Sequence, residues 1–350
     1  CDWSSDVCSS DLIKDTFFDS LRADYDGFDS WFQKKADKGE YAYVQYRDGG
    51  LKAFLYLKEE NEELKDVEPN RPACKRLKVG TFKIDAHNTK LGERFVKKIT
   101  DTAIYNNFEE VYVTIYAKHE GLIRILKKYG FEEVGKKKEE LVLVKDMKHL
   151  CGDIIKNFPM VNTEGKKKYV LSIYPKYHTR LFPDSILRNE VVDKEELIKD
   201  VSYTNSIHKI YLCFMPQTAQ LKRGDLVAIY RTSDGQGPAR YRSVITSICQ
   251  IEEVKTKQDF DNLDDFIKYT NYYSIFDTAE LTQWYRKTDL IVLKMTYNIA
   301  LQKRVTRGYL LDEVNIPSDI YWGFFELTDN QFNSILKKGE INENIIVHQA

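Results

Sequence analysis

One stretch of the sequence combines a strand, a short loop and a helix that begins near a glycine. Residues 82–95 read FKIDAHNTKLGERF, with Gly92 in the first helical turn and Lys90 and Arg94 on either side of it. The first N–H groups of a helix lack internal partners and lie at the positive end of its dipole, so they favour a phosphate. Gly92 would let a pyrophosphate approach the backbone. By itself this pattern also fits an ordinary strand-to-helix turn.

The segments around this stretch resemble the GNAT superfamily of N-acetyltransferases. Lys90-Leu91-Gly92-Glu93 is similar to the end of the Q/R-x-x-G-x-G/A loop of that family. Residues 125–131, which close with Tyr129-Gly130-Phe131, are similar to its L-Y-x-x-x-G-F helix. The resemblance covers residues 16–148 and implies an acetyl-CoA (or other acyl-CoA) cofactor and an acyltransferase enzyme.

The resemblance also implies roles for particular residues. The strand backbone at Phe82, Lys83 and Ile84 would bind the pantetheine arm. The pyrophosphate would be bound by the loop and the helix start, which comprise Thr89, Lys90, Leu91, Gly92, Glu93 and Arg94. His119 stands where the family usually has an asparagine near the start of the last helix.

Several positions depart from the family. Leu126 replaces the tyrosine that usually protonates the leaving thiolate, which leaves Tyr129, Tyr116 or His119 as alternative acids. Asp85 is a candidate general base, with Glu59 or Glu60 as alternatives at another strand end. The loop before Gly92 is about two residues short, and His87 and Asn88 stand where Arg and Gly are usual.

The elements that would position these residues follow from hydrophobic periodicity. Apolar residues at 17–32 predict one or two short helices broken near Gly27. Alternating segments predict strands at 41–47, 51–57, 77–85 and 111–116 and a final pair within 131–144. Repeats every three or four residues predict helices at 91–106 and 122–129. The order β-β-β-α-β-α-β-β predicts a mixed α/β domain.

The second half of the chain has a different pattern. Strands are predicted at 169–173, 208–214, 225–231, 241–253 and 289–296, with short helices near 185–187, 194–199, 260–269 and 278–286. Residues 221–253 resemble the strand-turn-strand of PUA-like domains, including the ASCH and EVE branches, although the ASCH signature G-x-K-x-x-E-x-R is not evident. The resemblance implies a mostly β barrel that binds RNA or a modified nucleotide, and basic side chains for that role are Arg223, Arg231, Arg240 and Arg242. A solvated basic rim is the alternative.

Length and composition limit the number of domains and the class of protein. The chain has 350 residues and a formal net charge of −1. It therefore lacks the overall positive charge that would attract nucleic acid, and any such contact would need a local basic patch. We predict domains at 13–148 and 169–350 with a linker at 149–168. Residues 2–12 resemble a translated sequencing adapter, so residues 1–12 are not expected to belong to the fold. No apolar run suits a membrane span and the six scattered cysteines suggest no metal site, so a cytoplasmic protein is expected.

Three functions follow from this reading. The first is an acetyl-CoA-dependent N-acetyltransferase whose PUA-like module selects the acceptor, such as RNA or a nucleotide-containing molecule. The second is an acetyltransferase acting on a protein or a small amine. The third is a weakly catalytic or non-catalytic GNAT-like domain joined to a nucleic-acid-binding module, and Leu126 favours this third function.

Overall fold

The computed structural model describes residues 4–7, 12–47, 49–85, 89–187 and 201–347. The chain divides into two compact units, Cys1–Met147 and Lys148–Ala350. None of the helices in these ranges is long and apolar enough to cross a bilayer.

The first unit is built on a seven-stranded sheet. Its strands are β1 (Ser4–Val7), β2 (Tyr41–Arg47), β3 (Gly50–Glu60), β4 (Arg76–Ile84), β5 (Glu110–Tyr116), β6 (Glu132–Lys137) and β7 (Glu140–Asp146). The spatial order is β1-β2-β3-β4-β5-β7-β6. Among the strand pairs of the described residues in this unit, only β4 and β5 are parallel, because the crossover helix between them returns the chain in the same direction.

Helices cover both faces of this sheet. They are α1 (Asp19–Asp24), α2 (Phe28–Asp37), α3 (Leu91–Tyr105) and α4 (Glu120–Lys128). Gly27, at a φ of 80°, makes the break between α1 and α2. The α1–α2 face buries Phe18 and Phe32 against Phe54 of β3, with ring centroids 5.2 and 5.7 Å from that ring. The other face buries the apolar stripe of α3, which includes Phe95 and Ile99.

A β-bulge interrupts β4 at Gly80. Tyr56 pairs with Thr81 and Leu57 with Val79, so Gly80 has no opposite residue on β3. A Cβ on Gly80 would lie 2.7 Å from the Tyr56 ring, which is itself 2% exposed. The bulge therefore requires a glycine, and it shifts the alternation of side chains along the second half of β4.

The second unit is built on a six-stranded sheet ordered β13-β8-β10-β11-β12-β9. The strands are β8 (Lys168–Ile173), β9 (His208–Cys213), β10 (Leu226–Arg231), β11 (Val244–Thr256), β12 (Ile291–Thr306) and β13 (Phe324–Leu327). The helices are α5 (Ile154–Asn157), α6 (Pro175–Leu181), α7 (Ser202–Asn205), α8 (Ala239–Arg242), α9 (Leu263–Thr270), α10 (Thr278–Tyr285), α11 (Arg307–Asp312) and α12 (Asp329–Lys338). β8 and β10 are parallel, and the other pairs are antiparallel.

The predicted fold class is confirmed: a mixed α/β unit with flanking helices precedes a strand-rich unit. Two local predictions differ from the structure. Residues 149–168 lie within the second unit, where Phe158, Met160 and Val161 are at most 1% exposed, because this polar-looking stretch carries buried apolar anchors. Residues 239–242 are helical, because Pro238 precedes a turn of helix before β11 begins.

The segment that resembles a translated adapter contains β1, since Ser4–Val7 pairs with β2. The helix predicted at 194–199 lies outside the described residues.

Replacing Gly80 with alanine tests the bulge. The added methyl group has to displace the buried Tyr56 ring, whose hydroxyl donates to Glu40. We expect Gly80→Ala to destabilise the first unit by about 1–3 kcal/mol, the usual cost of overpacking. Urea unfolding measures the change. The matched control is Gly121→Ala on α4, where nothing lies within 4 Å, and which should be neutral or stabilising. Equal effects of the two substitutions would contradict the packing argument.

Candidate functional site

The parallel strands β4 and β5 separate partway along their length. Their ladder joins Arg76–Val79 to Glu110–Val113 and then stops, although β4 continues to Ile84 and β5 to Tyr116. β4 stays paired with β3, and β5 stays paired with β7. Between residues 80–84 and 114–116 the described chain places no strand, so the facing backbone groups border an open crevice. Such an edge can pair with an extended amide-bearing ligand.

Helix α3 begins shortly after the open half of β4. Lys90 precedes it in the left-handed region, at a φ of 57°, and the carbonyl of Lys90 accepts from the N–H groups of Glu93 and Arg94 at 2.9 and 3.4 Å. The N–H groups at the start of a helix have no acceptor inside it, which suits a phosphate. The intervening residues 86–88, with His87 and Asn88, lie outside the described part of the chain.

The helix start also packs against the rest of the unit. A Cβ on Gly92 would lie 2.8 Å from Cδ1 of Ile125, so Gly92 lets α3 and α4 approach closely. Glu93 forms an ion pair with Lys128 at 3.0 Å, and Leu91 and Arg94 are 2% and 8% exposed. Six residues were predicted at the pyrophosphate. Residues 91–94 are fixed by packing, whereas Thr89 and Lys90 are half-buried.

Side chains of the open half of β4 point to opposite faces. Phe82 packs on Phe95 of α3, with ring centroids 5.3 Å apart. Lys83 points to the α1 face, where its ammonium donates to Ser20 Oγ at 2.6 Å and to the carbonyl of Phe17. Burial lowers the pKa of Lys83. A ligand in the crevice would therefore meet the backbone of this strand.

The far end of α1 contacts the other arm of the crevice. Asp24 forms an ion pair with Lys118 and lies 3.1 Å from Nε2 of His119. The hydrogen bond from Lys118 lowers the pKa of Asp24. The segment that begins near Phe17 and ends at Asp24 thus touches β4 at Lys83 and the loop after β5 at Lys118 and His119, so α1 spans the opening.

A pair of tyrosines and a carboxylate lie at the same end of β5. The rings of Tyr25 and Tyr116 are 5.2 Å apart, and the Tyr25 hydroxyl donates to Glu140 Oε1 at 2.9 Å. Glu140 is the cross-strand partner of Tyr116, so both side chains share the α1 face. Burial, followed by the contact with Glu140, raises the pKa of Tyr25 far above its usual range, so this hydroxyl stays protonated.

The three predicted catalytic residues lie in different environments. Tyr116 is half-buried on the open arm of β5. Tyr129 is fully buried, as is Leu126, and Lys128 lies 4.9 Å from the centroid of its ring. Asp85 is exposed just after β4, and its N–H donates to the carbonyl of Lys52 at 2.8 Å. The structure brings Tyr116 and His119 to the crevice end, and it places Tyr129 in the core.

Sequence reasoning missed Asp24, Tyr25 and Glu140. No local motif marks them, because they meet only through the packing of α1 and the register of β5 with β7. The break at Gly27 was visible in the sequence and fixes where α1 ends, so it was the one available signal.

The four arginines proposed to contact nucleic acid are not equally available. Arg240 pairs with Asp312, and Arg242 forms a two-pronged pair with Asp234. Arg231 is 2% exposed, so it lies inside the unit. Arg223 is about half exposed, lies 3.8 Å from Asp153 and donates to the carbonyl of Glu252 at 3.2 Å. These contacts reduce the free positive charge that the sequence suggested.

Comparison with solved structures returns two kinds of partial likeness. No family model matches the chain, and no curated protein matches it. An ASCH protein from Zymomonas mobilis is similar over 49% of this chain and 94% of its own, at 8% identity and a TM-score of 0.32. Aminoglycoside 6'-acetyltransferase type Ii is similar over 43% of this chain and 100% of its own, at 12% identity and a TM-score of 0.32. A GNAT-family acetyltransferase from Streptococcus agalactiae is similar over 39% of this chain and 89% of its own, at 18% identity and a TM-score of 0.30. At these values the likenesses say nothing about activity.

Replacing Asp24 with asparagine tests the contact between α1 and the loop after β5. The lowered pKa of Asp24 means that its ion pair with Lys118 stabilises the fold above pH 3.8 and loses that effect as the pH falls through the folded-state pKa. We expect Asp24→Asn to cost up to about 1 kcal/mol at pH 7, because Lys118 is mostly exposed. The difference from the parent protein in urea unfolding should shrink as the pH drops below 4. A difference that stays constant with pH would contradict this assignment.

Proposed function

We propose that the first unit is an acyl-CoA-dependent N-acyltransferase. The observation that carries the proposal is the open crevice between β4 and β5, followed along the chain by the N-terminus of α3. An extended pantetheine arm would pair with the backbone of residues 82–84. The diphosphate would lie at Lys90 and the first N–H groups of α3, where the helix dipole favours negative charge.

The chemistry would take place beneath α1. An amine approaching from the α1 face attacks the thioester carbonyl, a C–N bond forms and the C–S bond breaks. The amine loses a proton to a carboxylate, for which Glu140 joins Asp85 as a candidate. The departing thiolate gains a proton, and Tyr116 is the candidate donor, because it is half-buried at the open end of β5. Tyr129 would need to leave the core to act.

For the second unit we propose a role in selecting the acceptor, as a PUA-like module that binds RNA or a nucleotide-containing molecule. An acceptor that is a protein or a small amine remains the alternative, with this unit as an interaction module. The support is the strand-rich architecture together with the exposed tyrosines Tyr174, Tyr241 and Tyr321.

A second candidate function is acyl-CoA binding with little or no transfer. The observation that favours it is Leu126, which is fully buried and carries no proton to donate. Turnover separates the two candidates, since both require the same crevice to bind the thioester.

Calorimetry with acetyl-CoA tests the binding site. Replacing Gly92 would disturb the packing on Ile125, so the informative variant is Lys90→Glu, which puts a negative charge beside the expected diphosphate. We expect the Kd for acetyl-CoA to rise at least about tenfold, which corresponds to about 1.4 kcal/mol. The Kd for S-acetylpantetheine, which lacks the diphosphate, should not change.

The control carries the same change of charge elsewhere in the first unit. Lys136→Glu alters an exposed residue of the edge strand β6 and should leave the Kd for acetyl-CoA unchanged. No binding of acetyl-CoA at high micromolar concentration would rule out both candidate functions, and equal effects of the two variants would move the diphosphate site away from α3.

Tyrosine-to-phenylalanine variants test the proposed acid. With an amine that the protein acetylates, found by release of free thiol from acetyl-CoA across RNA, peptide and polyamine acceptors, Tyr116→Phe should lower kcat about 100-fold with little change in KM. Tyr129→Phe should lower kcat less than about threefold, because that ring is buried. The reverse order would assign the acid to Tyr129, and the absence of turnover with every acceptor would favour the binding-only function.

A further inference from the structure

One edge of the second sheet brings five chain segments together. β8 and β10 end side by side at Ile173 and Arg231, and β11 begins beside them at Val244. Thr306, the last residue of β12, pairs with Val244, so Arg307 follows at the same edge. The segment before β13 joins them, since the N–H of Ser172 donates to the carbonyl of Gly323 at 2.9 Å.

At this edge the guanidinium of Arg307 lies over an indole ring. Its Cζ is 4.3 Å from the ring centroid of Trp322. That ring is held in turn by Tyr230 and Phe325, each with a centroid 5.4 Å away. Stacking of this kind fixes the direction of the N–H groups of an arginine before any ligand arrives.

Two of the N–H donors in this stack have no acceptor. Within the described residues, Nε of Arg307 and Nε1 of Trp322 are both buried and make no hydrogen bond. Leaving a buried donor unsatisfied typically costs about 1–3 kcal/mol, so such atoms call for an explanation. An acceptor oxygen brought by a ligand is one partner that these donors could take.

The neighbouring arginines make the contrast clear. Arg240 and Arg242 lie in and at the end of α8, at the same edge, and each has an aspartate partner, Asp312 and Asp234. Arg307 has no carboxylate within ion-pair distance among the described residues. It is thus a fixed positive charge without a counter-ion, which favours an anionic ligand.

Exposed tyrosines lie on the segments that meet at this edge. Tyr174, Tyr241 and Tyr321 are 63%, 68% and 61% exposed. A Cβ on Gly323 would overlap the Tyr321 ring, so that ring lies over the glycine although most of it faces solvent. Rings that are held in place and exposed provide surfaces on which bases stack, and a nearby arginine adds to that stacking.

We propose that this edge is a binding site for single-stranded nucleic acid, in which Arg307 contacts a phosphate or a base oxygen and Tyr321 stacks on a base. An acidic peptide would use the arginine but not the tyrosines, and a free phosphate would leave them unused as well. The inference rests on the proposed role of the second unit, and it assigns that role to Arg307, Trp322 and Tyr321 in place of the ion-paired Arg240 and Arg242.

Fluorescence anisotropy with a labelled 12-nucleotide oligo(U) and the full-length protein tests the site. We expect Arg307→Ala to weaken binding at least tenfold and to make the dependence of log K on log salt shallower by about one phosphate contact. Arg307→Lys keeps the charge but loses the planar fork, so an intermediate loss is expected. Tyr321→Leu should weaken binding several-fold, since base stacking is worth about 1–3 kcal/mol per base.

Matched controls use residues of the same type in other parts of the chain. Arg286→Ala, at the end of α10, and Tyr105→Leu, at the end of α3, remove exposed side chains elsewhere and should leave the affinity within about twofold. Thermal unfolding shows whether each variant is folded. If Arg307→Ala unfolds the protein, Arg307→Lys and Tyr321→Leu still report on the site.

Each other outcome counts against the site. Equal losses for Arg307→Ala and Arg286→Ala would indicate diffuse attraction and overturn it. Competition by polyglutamate or inorganic phosphate as strong as by unlabelled oligo(U) would replace the nucleic acid with a simpler anion. Binding that is tight but insensitive to Arg307 and Tyr321 would overturn the site while leaving the role of the unit intact, whereas no binding of oligo(U) would overturn both.

Discussion

The early end of the ladder between β4 and β5 is the constraint on which the rest of the first unit depends. A fully paired parallel sheet would offer no free backbone edge and no crevice. The extra residue in β4 at Gly80 redirects the strand, and the buried Tyr56 ring opposite occupies the space that a side chain would take. Because α3 starts soon after the same strand ends, the helix terminus is positioned by that redirected strand as well.

The closed end of the same strand pair is held by charge. Arg76 and Glu110 are cross-strand partners at the first position of the ladder, and Arg76 is 1% exposed. Its guanidinium also donates to the carbonyl of Glu62, and Arg71 approaches Glu110 at 2.6 Å. Burial works to raise the pKa of Glu110, but the two arginines outweigh it and the pKa is lowered. Because β4 and β5 are fixed together at one end and separate at the other, the opening between them has a defined position.

The order of elements was predictable because each buries a regular apolar pattern. The alternation in residues 111–116 and the four-residue repeat of α3 depend only on local sequence, and both elements form where they were expected. Gly92 shows the limit. Its position marked a helix start, but the sequence could not show that its missing side chain faces Ile125, which lies 33 positions further along the chain.

Contacts between distant segments account for the other differences. The sequence could not pair Tyr116 with Glu140, because one shift of register would turn one of them to the opposite face. It also could not reveal that Arg240 and Arg242 have aspartate partners, since Asp312 is 72 residues from Arg240. A charge count along the chain treats every arginine as free, and only the fold distinguishes a neutralised one from Arg307.

The burial of Leu126 affects which residue can donate a proton to the departing thiolate. It is fully buried on α4, so a tyrosine there would have to displace core atoms before its hydroxyl reached the crevice. A proton donor on β5 avoids that cost, because Tyr116 already lies on the α1 face with Glu140 and Tyr25. Proton donor and proton acceptor would then lie on one side of the thioester, and α1 would hold both through Tyr25. The position of α1, set by Lys83 at one end and by Asp24 at the other, would therefore govern catalysis as well as access of the amine.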